Sequence, residues 1–215
     1  MTSSDRKARS EAILQKEAIP FLPSLPCIKS EEETELRSIE EVGIRMACLF
    51  CVVGSAFEPS ETVFKEYLKK YQLWDHLTPD ETAFLSNPAP DKRANIEFAW
   101  RTEALFVLMW SAGLFEDLPL PTHGTDTGKI VSMFPECDES PWPFIRKLQM
   151  RPKSEILDAA DLIYRLHWAA RNPELTGQSA CRAKLHAGVV QEWRHAINWV
   201  TNYENLDWDE VKTDT

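Results

Sequence analysis

The stretch Ser154–Asn172, SEILDAADLIYRLHWAARN, constrains this chain more than any other. At about 100° per residue, Ser154, Asp158, Asp161, Arg165 and Asn172 fall in one narrow stripe. Ile156, Leu157, Ala160, Leu162, Ile163, Leu166, Ala169 and Ala170 take most of the remaining circumference. A helix apolar over so much of its surface has to be surrounded by other helices. Ser154 reads as its N-cap, Glu155 and Asp158 suit its positive end, and Asn172-Pro173 stops it. The stretch therefore predicts a buried central helix over 154–172 that carries a polar seam.

The flanking sequence supplies the helices to surround it. Ser3 or Ser4 can cap a first helix to about Glu17, and the PFLPSLPC segment that follows reads as an extended piece pinned to the core by Phe21, Leu22 and Leu25. Ser38 with Glu41 is a capping box that opens a second helix running to about Gly54. Ser60 is placed to cap a third, and Thr78-Pro79-Asp80-Glu81 is a second capping box opening a fourth. Asp91 begins a long fifth helix to Ala112, stopped by Gly113, with Arg93, Glu97 and Arg101 as an i,i+4 ladder on its outer face. Residues 114–152 are proline-rich and irregular, with short apolar pieces at Ile130–Phe134 and Trp142–Leu148. A last helix spans about Val189–Asn202, and an acidic tail occupies 204–215. No period-2 strand series is present, so the expected fold is all-α: a single domain over 1–215 with about seven to nine helices, counted from typical helix lengths.

Composition narrows the classes of function. The net charge of −10 and a pI near 5.1 disfavour duplex nucleic acid and anionic membrane surfaces, both of which select basic patches. No apolar run reaches the roughly 18 residues needed to span a bilayer; the longest, Ala104–Ala112, reads as a core helix. The N-terminal segment TSSDRKARSE lacks a secretory apolar region, so a cytoplasmic location is expected, with all five cysteines as free thiols. A basic or neutral protein surface is the partner that suits the charge.

The usual catalytic signatures are absent, and nothing calls for a cofactor. Gly124–Lys129 is one residue short of a phosphate loop, with Ile130 where a hydroxyl is required, and reads as a surface turn. Cys48 and Cys51 form a C-x-x-C inside an apolar helix without a second pair, and read as two small buried side chains. Glu192 and His195 form an E-x-x-H, the spacing helical bundles use for di-metal sites. Such sites need two of these motifs and further carboxylates, so no metal is expected here. Otherwise Glu192 pairs with a local arginine and His195 sits at a boundary. Glu103 lies among Ile96, Trp100 and Val107 and must be paired, with an ion pair the ordinary solution. Asp161 and Arg165 can pair within their helix, and Glu103 or Glu192 could bring Arg165 a second carboxylate. The candidate polar cluster is thus Glu103, Asp158, Asp161, Arg165, Glu192 and His195.

Several segments in order resemble a family known as domain of unknown function 4272. The resemblance is carried by Arg37–Val42, Trp100–Leu105, Trp110–Gly113, Arg151 with Ser154–Asp158, and Asp161. It continues through Tyr164-Arg165, His167-Trp168-Ala169, Val189–Glu192, Asn198-Trp199, Trp208-Asp209 and Asp214-Thr215. Trp193 departs from the pattern, which has arginine directly after the glutamate. The resemblance implies a bacterial, cytoplasmic, single-domain protein and brings no activity, cofactor or catalytic residue. Two functions remain open. One is a non-enzymatic protein-binding module, an adaptor or toxin-neutralising partner using the acidic segments Glu31–Glu41 and Glu204–Asp214. The other is an enzyme or small-molecule binder using the six-residue polar cluster. An open pocket around the cluster favours the second; a closed, paired network favours the first.

Overall fold

The computed structural model describes residues 2–172 and 185–215. Among them are nine α-helices and no strand. These are α1 (Ser3–Lys16), α2 (Ile39–Phe57), α3 (Val63–Lys70), α4 (Pro79–Ser86), α5 (Lys92–Ser111), α6 (Thr127–Met133), α7 (Trp142–Ile145), α8 (Lys153–Arg171) and α9 (Ala187–Val200). Short 3-10 turns cover Trp74–His76, Tyr203–Asn205 and Trp208–Glu210. The principal packing runs in sequence through space: α2 lies on α5, α5 on α9, α9 on α8, and α8 on α1. The buried helix expected over 154–172 is α8, sandwiched between α9 and α1. It shares the interior with α5, where every residue from Thr102 to Ser111 is buried.

Local chemistry accounts for most helix starts. Thr2 with Asp5, Ser38 with Glu41 and Thr78 with Glu81 form reciprocal capping boxes, each satisfying two backbone donors. Asp91 caps α5 through the Ala94 N–H at 2.8 Å. Two expected caps fail. Ser154 does not cap α8, because Pro152 holds the N-cap position and the helix begins two residues early at Lys153. Ser60 does not cap α3, which starts at Val63 behind Thr62 with no side-chain cap. The first helix is capped by Thr2 in place of Ser3 or Ser4, and α2 continues past Gly54 to Phe57. At its end Gly113 takes φ +77, the left-handed conformation that stops α5 as expected.

Three apolar clusters fill the interior. The largest joins α5, α8 and α9 through Leu105, Leu108, Met109, Ile156, Ile163, Val189, Trp193 and Ile197. A second lies under α2, α3 and α4, and contains Cys48 and Cys51, so the C-x-x-C is core as expected. Burial pushes the Cys48 thiol up to about 12 and Cys51 well above its ordinary value, which leaves both thiols protonated and inert. The third pins Leu14, Ile19 and Leu25 against Leu166 and Ala169 of α8. Prolines 20, 23 and 26 remove donors from the segment after α1, and long cations bind its carbonyls. Lys7 Nζ donates to Pro23 O at 2.6 Å and Leu25 O at 2.7 Å, and Arg165 Nη2 donates to Pro26 O at 3.2 Å.

Candidate functional site

The α8 seam is the surface on which α1 docks. Arg165 and Asp161 are both fully buried and form a two-point pair, Nε to Oδ2 at 2.9 Å and Nη2 to Oδ1 at 3.0 Å. The second carboxylate at Arg165 is Glu11 of α1, at 3.6 Å from Nη1. It is neither Glu103 nor Glu192, because those residues project from α5 and α9, away from the α1 face. Asp158 accepts from two α1 arginines, Arg6 at 2.9 Å and Arg9 at 2.6 Å, and Arg6 also meets Glu31 at 3.0 Å. Arg6 is fully buried, an unusual place for the fourth residue of a polar N-terminal helix. Its signal in the sequence is the i,i+4 stripe Arg6, Ser10, Leu14, all buried.

The other three members of the expected cluster lie elsewhere. Glu192 pairs across helices with Arg101 of α5 at 3.0 Å. Arg101 therefore leaves the expected Arg93–Glu97–Arg101 ladder, and no ion pair forms within that ladder. Burial raises the Glu192 carboxyl above its ordinary range, with the Glu103 charge adding to the effect and Arg101 opposing it. Glu103 is 4 % exposed and has no ion pair among the described residues. It accepts instead from Thr125 N–H at 2.7 Å, Thr125 Oγ1 at 2.8 Å and Trp193 Nε1 at 3.4 Å, fastening the loop before α6 to the core. Gly124–Lys129 is thus an anchored turn, with Asp126 capping a helix of seven residues. His195 is 7 % exposed rather than at a boundary, and its ring lies edge-on to Trp208 at 4.6 Å. Burial drives its pKa down to about 3, with the nearby Arg101 charge adding to the shift. Glu192 and His195 consequently serve different neighbours, and among the described residues no three His, Cys, Asp or Glu side chains converge as a metal site. The six residues form no single cluster: Asp158, Asp161 and Arg165 face α1, whereas Glu103, Glu192 and His195 belong to α5 and α9, with His195 Nε2 buried and unpartnered among the described residues.

The cleft of this protein is built from another set. A cavity of about 400 Å³ opens between α8, α9, the segment before α2 and the C-terminal residues. Its apolar floor includes Leu157 and Ala160, and its front wall runs over Pro26–Lys29. Arg194, Asn198 and Thr201 enter from α9, Tyr164 from α8, and Tyr203, Asp214 and Thr215 from the chain that follows α9. Arg194 is 5 % exposed, yet no carboxylate pairs with it among the described residues, and its buried Nε has no hydrogen-bond partner. Its guanidinium lies over the Tyr164 ring at 4.7 Å and near Tyr203 at 5.8 Å. Burial lowers its pKa to about 10, so it remains a cation at neutral pH.

The tail that closes this cleft is docked through its non-acidic residues, while Glu204, Asp207, Asp209, Glu210 and Asp214 stay exposed as expected of an acidic surface. Trp208 is buried against Trp199, and Asn198 Nδ2 donates to Lys212 O at 2.7 Å. His167 donates from Nε2 to Gln191 Oε1 at 2.8 Å in the tautomer that lets Thr215 Oγ1 donate to Nδ1 at 3.2 Å. The Gln191 amide then donates to Thr213 Oγ1 at 2.7 Å. Between α9 and the tail, Asn202, Glu204 and Asn205 all take left-handed backbone conformations, at φ 51, 55 and 56. For Glu204 this is a strained conformation, and it holds Tyr203 at the edge of the cleft.

A family model described as a domain of unknown function (DUF4272) matches residues 6–211. The chain belongs to that family. No curated protein and no solved structure matches it. In this DUF4272 chain, Tyr164, Asn198, Asp214 and Thr215, which belong to the segments carrying the resemblance, line the cleft. Arg194 escaped the reading by residue type, yet α9 carries a seam of its own. Gln191, Arg194, Asn198 and Thr201 recur at i,i+3/i+4 among Val189, Val190, Trp193, Ala196, Ile197 and Val200.

Proposed function

We propose that this protein binds a small organic ligand through an anionic group, a carboxylate or phosphate, received by Arg194 in the cleft between α8, α9 and the C-terminal residues. The observation that carries this reading is a buried arginine without a carboxylate. Elsewhere in this molecule the deeply buried arginines have acids: Arg6 has Asp158 and Glu31, Arg45 has Glu81, and Arg165 has Asp161. A buried charge left unpaired costs several kcal/mol, of order 3–5 where a partner has been removed. Folding gains little from such a residue, whereas a guanidinium fork facing a cavity of ligand size is suited to recognising carboxylate or phosphate. The strained Glu204 backbone beside Tyr203 points the same way, since strain of this kind concentrates at ligand sites.

A protein partner drawn to the acidic segments is the competing reading. Its support is that Glu32, Glu33, Glu35, Glu204, Asp207, Asp209 and Glu210 stay exposed, although Glu31 is bound by Arg6. Screening a panel of small carboxylates and phosphomonoesters by thermal shift, followed by calorimetry, tests the ligand reading. A binder present at 100 times its Kd stabilises the protein by about 2.7 kcal/mol. The expected result is saturable stabilisation by at least one anion that disappears in Arg194→Met. No stabilisation by any of them, or stabilisation that survives the substitution, overturns the reading.

A further inference from the structure

The same cleft carries a negative charge facing its cation, and this restricts what can enter. Asp214 lines the cleft with Arg194, and its charge acts on Arg194, Tyr164 and His167 alike. The two do not form an ion pair. The Asp214 carboxylate instead accepts one hydrogen bond from Tyr203 Oη at 3.3 Å, which leaves most of its acceptor capacity free. A buried cation and an exposed anion thus line one cavity with an apolar floor without pairing with each other. A plain anion bound at Arg194 would be repelled by Asp214 and by the acidic chain as a whole, whose net charge is −10. A ligand that also carries an ammonium group turns that repulsion into attraction.

From this arrangement we infer that the ligand is an amphoteric small molecule, a free α-amino acid with an apolar side chain. Its carboxylate is held by Arg194, its ammonium by Asp214, and its side chain by Leu157, Ala160 and Ile28. This rests on the Arg194 reading and adds to it. Specificity comes from pairing both charges at once: an acid lacking the amine meets Asp214 uncompensated, and an amine lacking the carboxylate leaves Arg194 unpaired in the interior. Lys29 at the mouth is exposed and can attract the carboxylate during approach without being buried by it.

Thermal shift with each of the twenty proteinogenic L-amino acids, followed by calorimetry on the best of them, tests the inference. That amino acid is compared with its deaminated acid and its decarboxylated amine on the wild type, Asp214→Asn and Arg194→Met. The expected pattern is binding of the amino acid at least tenfold tighter than either half-molecule. Asp214→Asn should weaken the amino acid tenfold or more while leaving the deaminated acid unchanged or tighter, and Arg194→Met should abolish both. Absence of binding by every amino acid overturns the inference, as does an amino acid whose affinity is indifferent to Asp214→Asn. Simple acids or phosphates that bind through Arg194 where amino acids do not would sink the amphoteric ligand and leave the anion reading standing.

Discussion

Replacing Arg165 by methionine should cost about 3–5 kcal/mol of folding stability, the range for removing one partner of a buried ion pair. The geometry places the residue in that range and not in the 0–1 kcal/mol of a surface pair. Both Arg165 and Asp161 are fully buried, and among the described residues the only hydrogen bonds to the Asp161 carboxylate are the two from Arg165. Methionine keeps most of the volume, so the cavity contribution is small and the measured loss reports the stranded carboxylate. Glu11 loses a more distant partner, but the same oxygen keeps Lys7 at 3.8 Å. In urea, with an m-value of about 2–3 kcal/mol/M, the midpoint should fall by roughly 1–2 M. Against a total of about 5–15 kcal/mol, that is a large fraction of the stability. The companion variant Asp161→Leu/Arg165→Met removes both charges and should recover most of the loss, because apolar replacement of a whole buried pair is close to neutral. Urea melts at unchanged m-value, on purified wild type and the two variants, measure both quantities. A single-variant loss under about 1 kcal/mol would refute the reasoning, as would a double variant no more stable than the single.

Arg194→Met should behave in the opposite way, changing stability by less than about 1 kcal/mol or raising it, since no acid is stranded and the apolar side chain can still pack on Tyr164; a loss of several kcal/mol in the same melts would make Arg194 structural. Stability should fall on acidification through His195, which folds with a pKa near 3 against its ordinary 6.5. The unfolded chain then binds the extra proton between those values, so this contribution is complete above about pH 6.5 and declines as pH drops, by on the order of 3 kcal/mol down to pH 4.5. His167, also lowered by burial, acts with the same sign. His195→Gln should flatten the pH dependence of the urea midpoint, and an unchanged slope would contradict the assignment. Cys27 is exposed and lines the cleft, whereas Cys48 and Cys51 are buried. The thiol-labelling phase that disappears in Cys27→Ser should therefore slow when the cleft is occupied, and a phase unaffected by a saturating ligand would place the ligand elsewhere.

Much of the fold is legible because its signals are local. The capping boxes at Ser38 and Thr78 and the cap at Asp91 each rest on a side chain reaching its own backbone within three residues. Burial of α8 follows from its own circumference. Partner choice is not local, which is why the seam is readable and its occupant is not. The sequence allows Arg165 any carboxylate on a neighbouring helix, and only the packing of α1 on α8 selects Glu11. Glu103 illustrates another limit: a buried carboxylate must be satisfied, but backbone and indole donors from Thr125 and Trp193 do this as well as a cation. At the cleft, residue type misleads. An E-x-x-H draws notice to Glu192 and His195, while the residues of α9 that line the cleft lie in the plainer stripe through Arg194. The thiols fall in the same division: Cys27, Cys48, Cys51 and Cys137 are free, and Cys181 lies outside the described residues.

The front wall of the cleft, Pro26–Lys29, belongs to the segment joining α1 to α2, and α1 holds on to the rest of the molecule chiefly through α8. That attachment is made largely of arginine and lysine contacts around a small apolar patch at Leu14. Segments with little buried apolar area open most readily, well short of global unfolding. Detachment of α1 would take Lys7 from the Pro23 and Leu25 carbonyls and remove one brace of the wall. Amide exchange along α1 would therefore report how firmly the front wall of the cleft is braced.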